Sequence, residues 1–308
     1  MLSSIVIASI AAAPPAAKIS LWAHLSGQET TSIAFAPTGS QLACGMADNT
    51  VKIFDAKTKM SVKALKGHKF PARAVAWGPG GRLVSGSENG EIRVWDIKTG
   101  SSRAWTGHIR AVQWIAFNRA GNRILTTGVD DVIKLWDMKS TKPLLTILGK
   151  GINVYGARWD SSGSKIVAAT LGGGLVTYSA ANGKELKRFG GHAGVGVNDI
   201  ATYGLRALTA GRDGKIGVWD ISTAARKTYI NAHKDWILSI AIDPSGRTFA
   251  STSSDGTMKL WDMKTLKQIA SFEKMNYVVS PLAWSASGGF LAAVSQDNYL
   301  SLYTVSAK

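Results

Sequence analysis

Three side chains in the last third of the chain have the types needed for acyl transfer: Ser251 as nucleophile, His233 as its base and Asp255 to orient the imidazole. Such a set is productive only where the hydroxyl meets substrate beside donors for an oxyanion. The same residue types recur, however, at fixed distances from a tryptophan. Trp261 follows Asp255 by 6 residues, Ser251 by 10 and His233 by 28. Within one residue, the same intervals relate Trp136 to Asp130, Thr126 and His108, and Trp219 to Asp213, Thr209 and His192. They also relate Trp95 to Ser85 and His68, with Asn89 in the acid position. One active site does not call for three full copies and a near copy. A buried relay does: the indole N–H needs an acceptor, the hydroxyl supplies it and donates on to imidazole, and the other ring nitrogen donates to the carboxylate. The sequence therefore predicts structural tetrads and no catalytic residue.

The elements that would hold these tetrads repeat with them. Phe54, Trp95, Trp136, Tyr178, Trp219, Trp261 and Tyr303 stand 41, 41, 42, 41, 42 and 42 residues apart. In each unit a glycine (Gly39, Gly81, Gly121, Gly163, Gly204, Gly246, Gly288) follows a bulky residue by 4 positions. Set among Pro, Ser, Asn and Asp, it suits a tight turn that needs positive φ. Between these marks lie short runs such as TSIAF, QLACG and VKIFD, which read as four strands per unit and no amphipathic helix. Repeats of this length and type stack as sheets around an axis. KISLWAHL, residues 18–25, precedes the first unit without a sheet of its own, and the last unit lacks a fourth strand. The expected fold is an all-β, seven-bladed β-propeller of four-stranded blades over residues 18–308. Its ring is closed by the N-terminal strand pairing with the last blade, which buries two exposed edges.

Four segments sharpen this: GHKF to VWD (His68 to Asp96), GHIR to LWD (His108 to Asp137), GHAG to VWD (His192 to Asp220) and AHKD to LWD (His233 to Asp262). Here the sequence resembles the WD40-repeat family, over roughly residues 18 to 305. The resemblance implies that each tetrad ties a blade's outer strands to the loop leading into it. It also implies that the loops at one mouth of the channel hold proteins or peptides. Carried through the repeat register, those positions single out Trp236, Tyr155, Leu171, Leu238 and Val129 as an apolar arc, with Arg212 and Arg73 available for carboxylates. Large aromatics and arginine dominate binding hot spots, and Trp236 is the first choice. Three units depart from the tetrad. The first has Ser26, Cys44, Asp48 and Phe54, the fourth Lys150, Ala168, Gly172 and Tyr178, and the seventh Met275, Ala293, Asp297 and Tyr303. The fourth, with LGGG at 171–174, is expected to be the loosest internal blade.

Composition limits the remaining functions. A chain of 308 residues that is 45% hydrophobic can bury a sizeable core, and the single Cys44 excludes an internal disulfide. Four of the 5 histidines sit in tetrads and His24 in the closing strand, so no metal or cofactor is expected. The formal charge of +16 favours nucleic acid, anionic lipid or acidic polymers. Turn cations such as Lys57, Lys98, Lys139, Arg123, Arg247 and Lys264 place a basic rim on the face opposite the loops. Residues 1–17, MLSSIVIASIAAAPPAA, are too short an apolar run to span a bilayer. They read as a secretory leader, implying export or a periplasmic location, with a cytoplasmic extension as the alternative. The expected function is a non-catalytic scaffold that binds a protein or peptide, as a monomer or as a subunit of a larger assembly. Polyanion binding on the basic face is the alternative, and an enzyme with a site at the channel mouth ranks below both.

Overall fold

The second strand of each unit is built from small and branched residues because a neighbour covers each of its faces. QLACGM, RLVSGS and TFASTS are buried from their second residue onward. The outermost strand has no such cover, and Met60–Leu65 is exposed along most of its length. In unit six, Ile237–Ile242, Thr248–Ser253, Met258–Asp262 and Gln268–Phe272 pair in chain order as one antiparallel sheet.

A computed structural model describes residues 17–26, 30–149, 154–192, 194–272, 278–295 and 300–307. Among these residues, seven four-stranded sheets surround a central channel. Six use consecutive strands. The seventh has the spatial order Ala17–Ser26, Leu300–Ala307, Phe290–Ser295, Val278–Trp284, with Ala17 opposite Ala307 and Leu21 opposite Tyr303. The N-terminal strand therefore closes the ring, as the sequence predicts. Residues 1–16 lie outside the described residues, as do Lys150, Met275 and Asp297. No helix among the described residues is long and apolar enough to cross a membrane.

The core is divided into seven slabs, each shared by adjacent blades. Leu125, Ile133 and Leu135 of blade three meet Trp159, Ile166 and Tyr178 of blade four. Leu300 and Leu302 of the last blade meet Ile33, Leu42 and Phe54 of the first. Burying one such aromatic contributes roughly 3–5 kcal/mol before entropy, several times the net value of one hydrogen bond. Packing thus supplies the attraction, and polar ties set the register. Trp159 Nε1 donates to Ala116 O (3.2 Å), Thr202 Oγ1 to Trp159 O (2.8 Å) and Trp284 Nε1 to Ala241 O (3.1 Å), each reaching the preceding blade.

All seven turn glycines have positive φ, from 59° at Gly204 to 79° at Gly39. Blade five nevertheless corrects the predicted register. Thr202 pairs with Ala207, whereas in blade six Ile242 pairs with Phe249, so the blade-five turn is two residues shorter. The counterpart of Ile242 is Thr202, and the spacing from Ile200 to Gly204 is coincidental. The loop from His192 to Val197 is one residue longer than that from His233 to Ile237, which nearly restores the unit length and conceals the change.

Candidate binding face

The tetrads are hydrogen-bonded chains. Trp136 Nε1 donates to Thr126 Oγ1 (2.9 Å), which lies 2.8 Å from His108 Nε2, while His108 Nδ1 lies 2.9 Å from Asp130. Trp219, Thr209, His192 and Asp213 repeat this at 2.9, 2.8 and 2.9 Å. In blade six, Trp261 donates to Ser251 (2.9 Å), which lies 2.7 Å from His233 Nε2. His233 Nδ1 meets Thr257 Oγ1 at 2.9 Å and Asp255 at 3.2 Å. Blade two departs from expectation at the acid. Trp95, Ser85 and His68 are joined at 2.7 and 2.6 Å, but His68 Nδ1 meets Glu91 at 2.7 Å and not Asn89. Glu91 offers a full negative charge and is held by Arg93 at 2.6 Å. Asn89 instead caps its own turn, accepting from the Glu91 N–H and from Ser87.

All four imidazole side chains are fully buried. Burial lowers their pKa against the upward pull of the carboxylates, and His233 falls to about 4. Each ring is therefore neutral at neutral pH, donating from Nδ1 and accepting at Nε2. Ser251 is 0% exposed, so its hydroxyl cannot meet a substrate. In blade one, Cys44 occupies the hydroxyl position; burial pushes its thiol far up, leaving it unreactive. Asp48 turns to Thr50 and Lys52. Blades four and seven place fully buried Ala168 and Ala293 at the hydroxyl position.

The loop face is built by a repeated irregularity. Six innermost strands shift register at the same point, between Thr30/Ser32, Ala72/Ala74, Val112/Trp114, Val154/Gly156, Val197/Asp199 and Ile237/Ser239. A β-bulge turns its extra residue out of the ladder. The extra residues, Thr31, Arg73, Gln113, Tyr155, Asn198 and Leu238, encircle the channel mouth. A second tie fixes the facing turns: the N–H groups of Glu88, Val129, Arg212 and Ser254 donate to the carbonyls of Pro71, Ala111, Gly196 and Trp236.

Tyr155, Val129 and Arg73 line one cavity of about 1220 Å³ that runs down the channel. Ile109, 85% exposed, joins them. It follows a relay histidine, where blades two and six have Lys69 and Lys234, so the repeat register did not mark it. Trp236, 47% exposed, lies outside this cavity. It sits over Arg212, whose guanidinium carbon is 4.9 Å from the ring centroid. Arg212 Nε donates to Asn198 Oδ1 (2.8 Å), and Asn198 Nδ2 donates to Ile237 O (2.9 Å). Arg212 is thus already engaged as the support of Trp236, through its ring contact and its Nε–H. Arg73 likewise pairs with Glu88 at 3.2 Å. Leu171 and Leu238 are half-buried. The blade-five register error hid Asn198, which occupies the position of Leu238.

Deeper in the channel, six strands present alanine at one position: Ala34, Ala76, Ala116, Ala201, Ala241 and Ala283. Blade four has Arg158 there. Its guanidinium carbon lies 3.6 Å from the Trp114 ring centroid, and Nη2 donates to Asp199 at 2.9 Å. Burial lowers the Arg158 pKa, and Asp199 opposes that shift. Asp199 also accepts from Ser239 Oγ (2.7 Å) and the Ile240 N–H (3.1 Å), and the Leu282 N–H donates to Ser239 Oγ (3.1 Å). The lone arginine in an alanine column was the available signal, and the sequence reading missed it.

On the opposite face, Lys57, Lys98, Lys139, Arg123, Arg247 and Lys264 are exposed. The blade-end aspartates face back into their turns. Asp55 accepts from the N–H groups of Lys57 and Thr58, and Asp96 from those of Lys98 and Thr99. Hydrogen bonds, from Ser40 foremost at Asp55 and from the Thr99 N–H at Asp96, lower these carboxyls and keep them ionised.

A closed ring of seven four-stranded blades, riveted by buried tryptophan–hydroxyl–histidine–acid relays, defines a repeat propeller that displays its loops. The WD domain, G-beta repeat family matches residues 18–55, 59–96, 100–137, 183–220 and 225–262, and the chain belongs to that WD40 family. The unmatched stretches contain Tyr178 and Tyr303, in two of the three blades without relays. The chain is similar to Periodic tryptophan protein 2 of Arabidopsis thaliana, 23% identical over 91% of this chain and 34% of that protein. It thus spans about a third of that relative. It is also similar to THO complex subunit 3 of Arabidopsis thaliana, 27% identical over 78% of each chain. Protein transport protein sec13 of Emericella nidulans is 27% identical over 86% of this chain and 87% of its own length.

Proposed function

We propose that this protein is a non-catalytic scaffold that takes a protein or peptide partner on its bulge-lined loop face, with Trp236 as the principal contact. The observation that carries this reading is the stack of Trp236 on Arg212, itself fixed by Asn198. A large aromatic that is half-exposed yet already held in place loses little freedom on binding. Ile109, Val129 and Tyr155 extend the apolar surface towards the channel mouth. Membership of an assembly also fits the name of one relative, THO complex subunit 3.

The test compares wild type with Trp236→Ala as baits in extract of the native cell, at low and moderate salt. A specific partner should be captured by wild type and reduced roughly tenfold with the variant, as for a hot-spot aromatic. The melting temperature should hardly change, because the side chain is not part of the core. Unchanged capture, or loss of folding, would sink the proposal.

A further inference from the structure

The two-residue turn at Gly204 and Leu205 stands on the face opposite the loops. Beside it the Tyr203 ring lies against Gly246, where an added Cβ would come within 2.2 Å of the ring. The Tyr203 hydroxyl donates to Ser245 O at 3.0 Å, which holds the ring in place. Tyr203 and Leu205 remain 45% and 58% exposed. They line a cavity of about 1110 Å³ together with Met263, Ile269 and Val305, and Arg247, Lys264 and Lys227 also border it.

The acids in this lining are already engaged. Asp243 accepts from the N–H groups of Ser245 and Thr248, and Asp262 from those of Lys264 and Thr265. Asp220 accepts from the Ser222 and Thr223 N–H groups and meets Lys227 at 3.3 Å. Arg206 donates to Met263 O. Among the described residues, the exposed Arg247 side chain makes no hydrogen bond or ion pair.

We infer that this groove is a second docking site, for an acidic peptide segment with leucine or phenylalanine between its carboxylates. Surface ion pairs alone give little affinity, so the wall of Tyr203 and Leu205 must carry most of it. Arg247 and Lys264 then select an acidic ligand and speed its approach to a chain of charge +16. A nucleic acid fits less well, since its phosphates would cover Leu205 without drying it, and Lys227 and Arg206 are already engaged. The site is remote from Trp236 and does not depend on the loop-face reading.

The test is fluorescence anisotropy on the full chain, with a labelled peptide that alternates acidic residues with leucine and phenylalanine. Saturable binding is expected. Leu205→Ser and Arg247→Glu should each weaken it roughly fivefold or more, and Trp236→Ala should leave it unchanged. Both substituted positions are exposed, and circular dichroism checks that each variant folds. The inference is overturned if a serine-for-leucine/phenylalanine peptide, or a single-stranded oligonucleotide, binds as tightly as the test peptide. It is equally overturned if both variants bind like wild type.

Discussion

A neutral imidazole sealed among a hydroxyl, a carboxylate and an indole makes stability depend on pH. The His233 ring titrates near 6.5 when solvated and near 4 when buried in the folded chain. Between those values the unfolded chain binds a proton that the native chain does not. The contribution is therefore full above about 6.5 and is lost as pH falls towards 4, a difference of roughly 3 kcal/mol for this ring. Rising net positive charge also destabilises at low pH, so the informative quantity is the difference between variants. His233→Ala should melt lower at pH 7, because the buried Ser251 hydroxyl loses its acceptor, at roughly 1–3 kcal/mol for an unsatisfied group. It should also lose less than wild type between pH 7 and 4.5. Parallel melting curves for the two proteins across that window would rule out titration of this ring as the cause.

Strands in this chain succeed or fail as edges. Without residues 18–25, Leu300–Ala307 would present a free edge, and Ile19 would leave its slab with Leu291 and Tyr303. That deletion should lower the melting temperature by roughly 5–10 °C, and an unchanged melt in differential scanning calorimetry would show that the ring does not rely on this strand. The closing strand was legible because two incomplete ends of one repeat complement each other. The tetrads were legible because aromatic, hydroxyl and histidine keep fixed intervals. Glu91 was not, because any acceptor within reach of His68 satisfies the ring, and a position two residues on serves as well as the acid column. The blade-five turn was illegible for a different reason: a deletion of two residues and an insertion of one nearly cancel in the unit length. The repeat register placed Arg73, Tyr155 and Leu238 at the channel mouth, but not the bulge that turns them there, since side chains vary along that column and only the backbone irregularity is shared.

Around the whole ring, stability is a matter of how blades are coupled, and blades four and seven, two of the three without a relay, raise that question most sharply. Blades four and seven lack the tetrad, yet both belong to one polar chain inside the channel. Trp114 of blade three stacks on Arg158 of blade four, Arg158 meets Asp199 of blade five, Asp199 accepts from Ser239 of blade six, and Ser239 accepts from Leu282 of blade seven. Arg158 and Asp199 side chains are only 16% and 7% exposed, so each charge relies on the other. Breaking such a pair from one side strands a charge, at roughly 3–5 kcal/mol, whereas replacing both partners is often close to neutral. Arg158→Met and Asp199→Asn should therefore each lower the urea midpoint clearly. The double variant should be more stable than the sum of the two losses allows, by a coupling energy of roughly 1–3 kcal/mol. Strictly additive losses would mean that the pair does not join blades four and five. The Ser239 link would then tie blades five to seven alone.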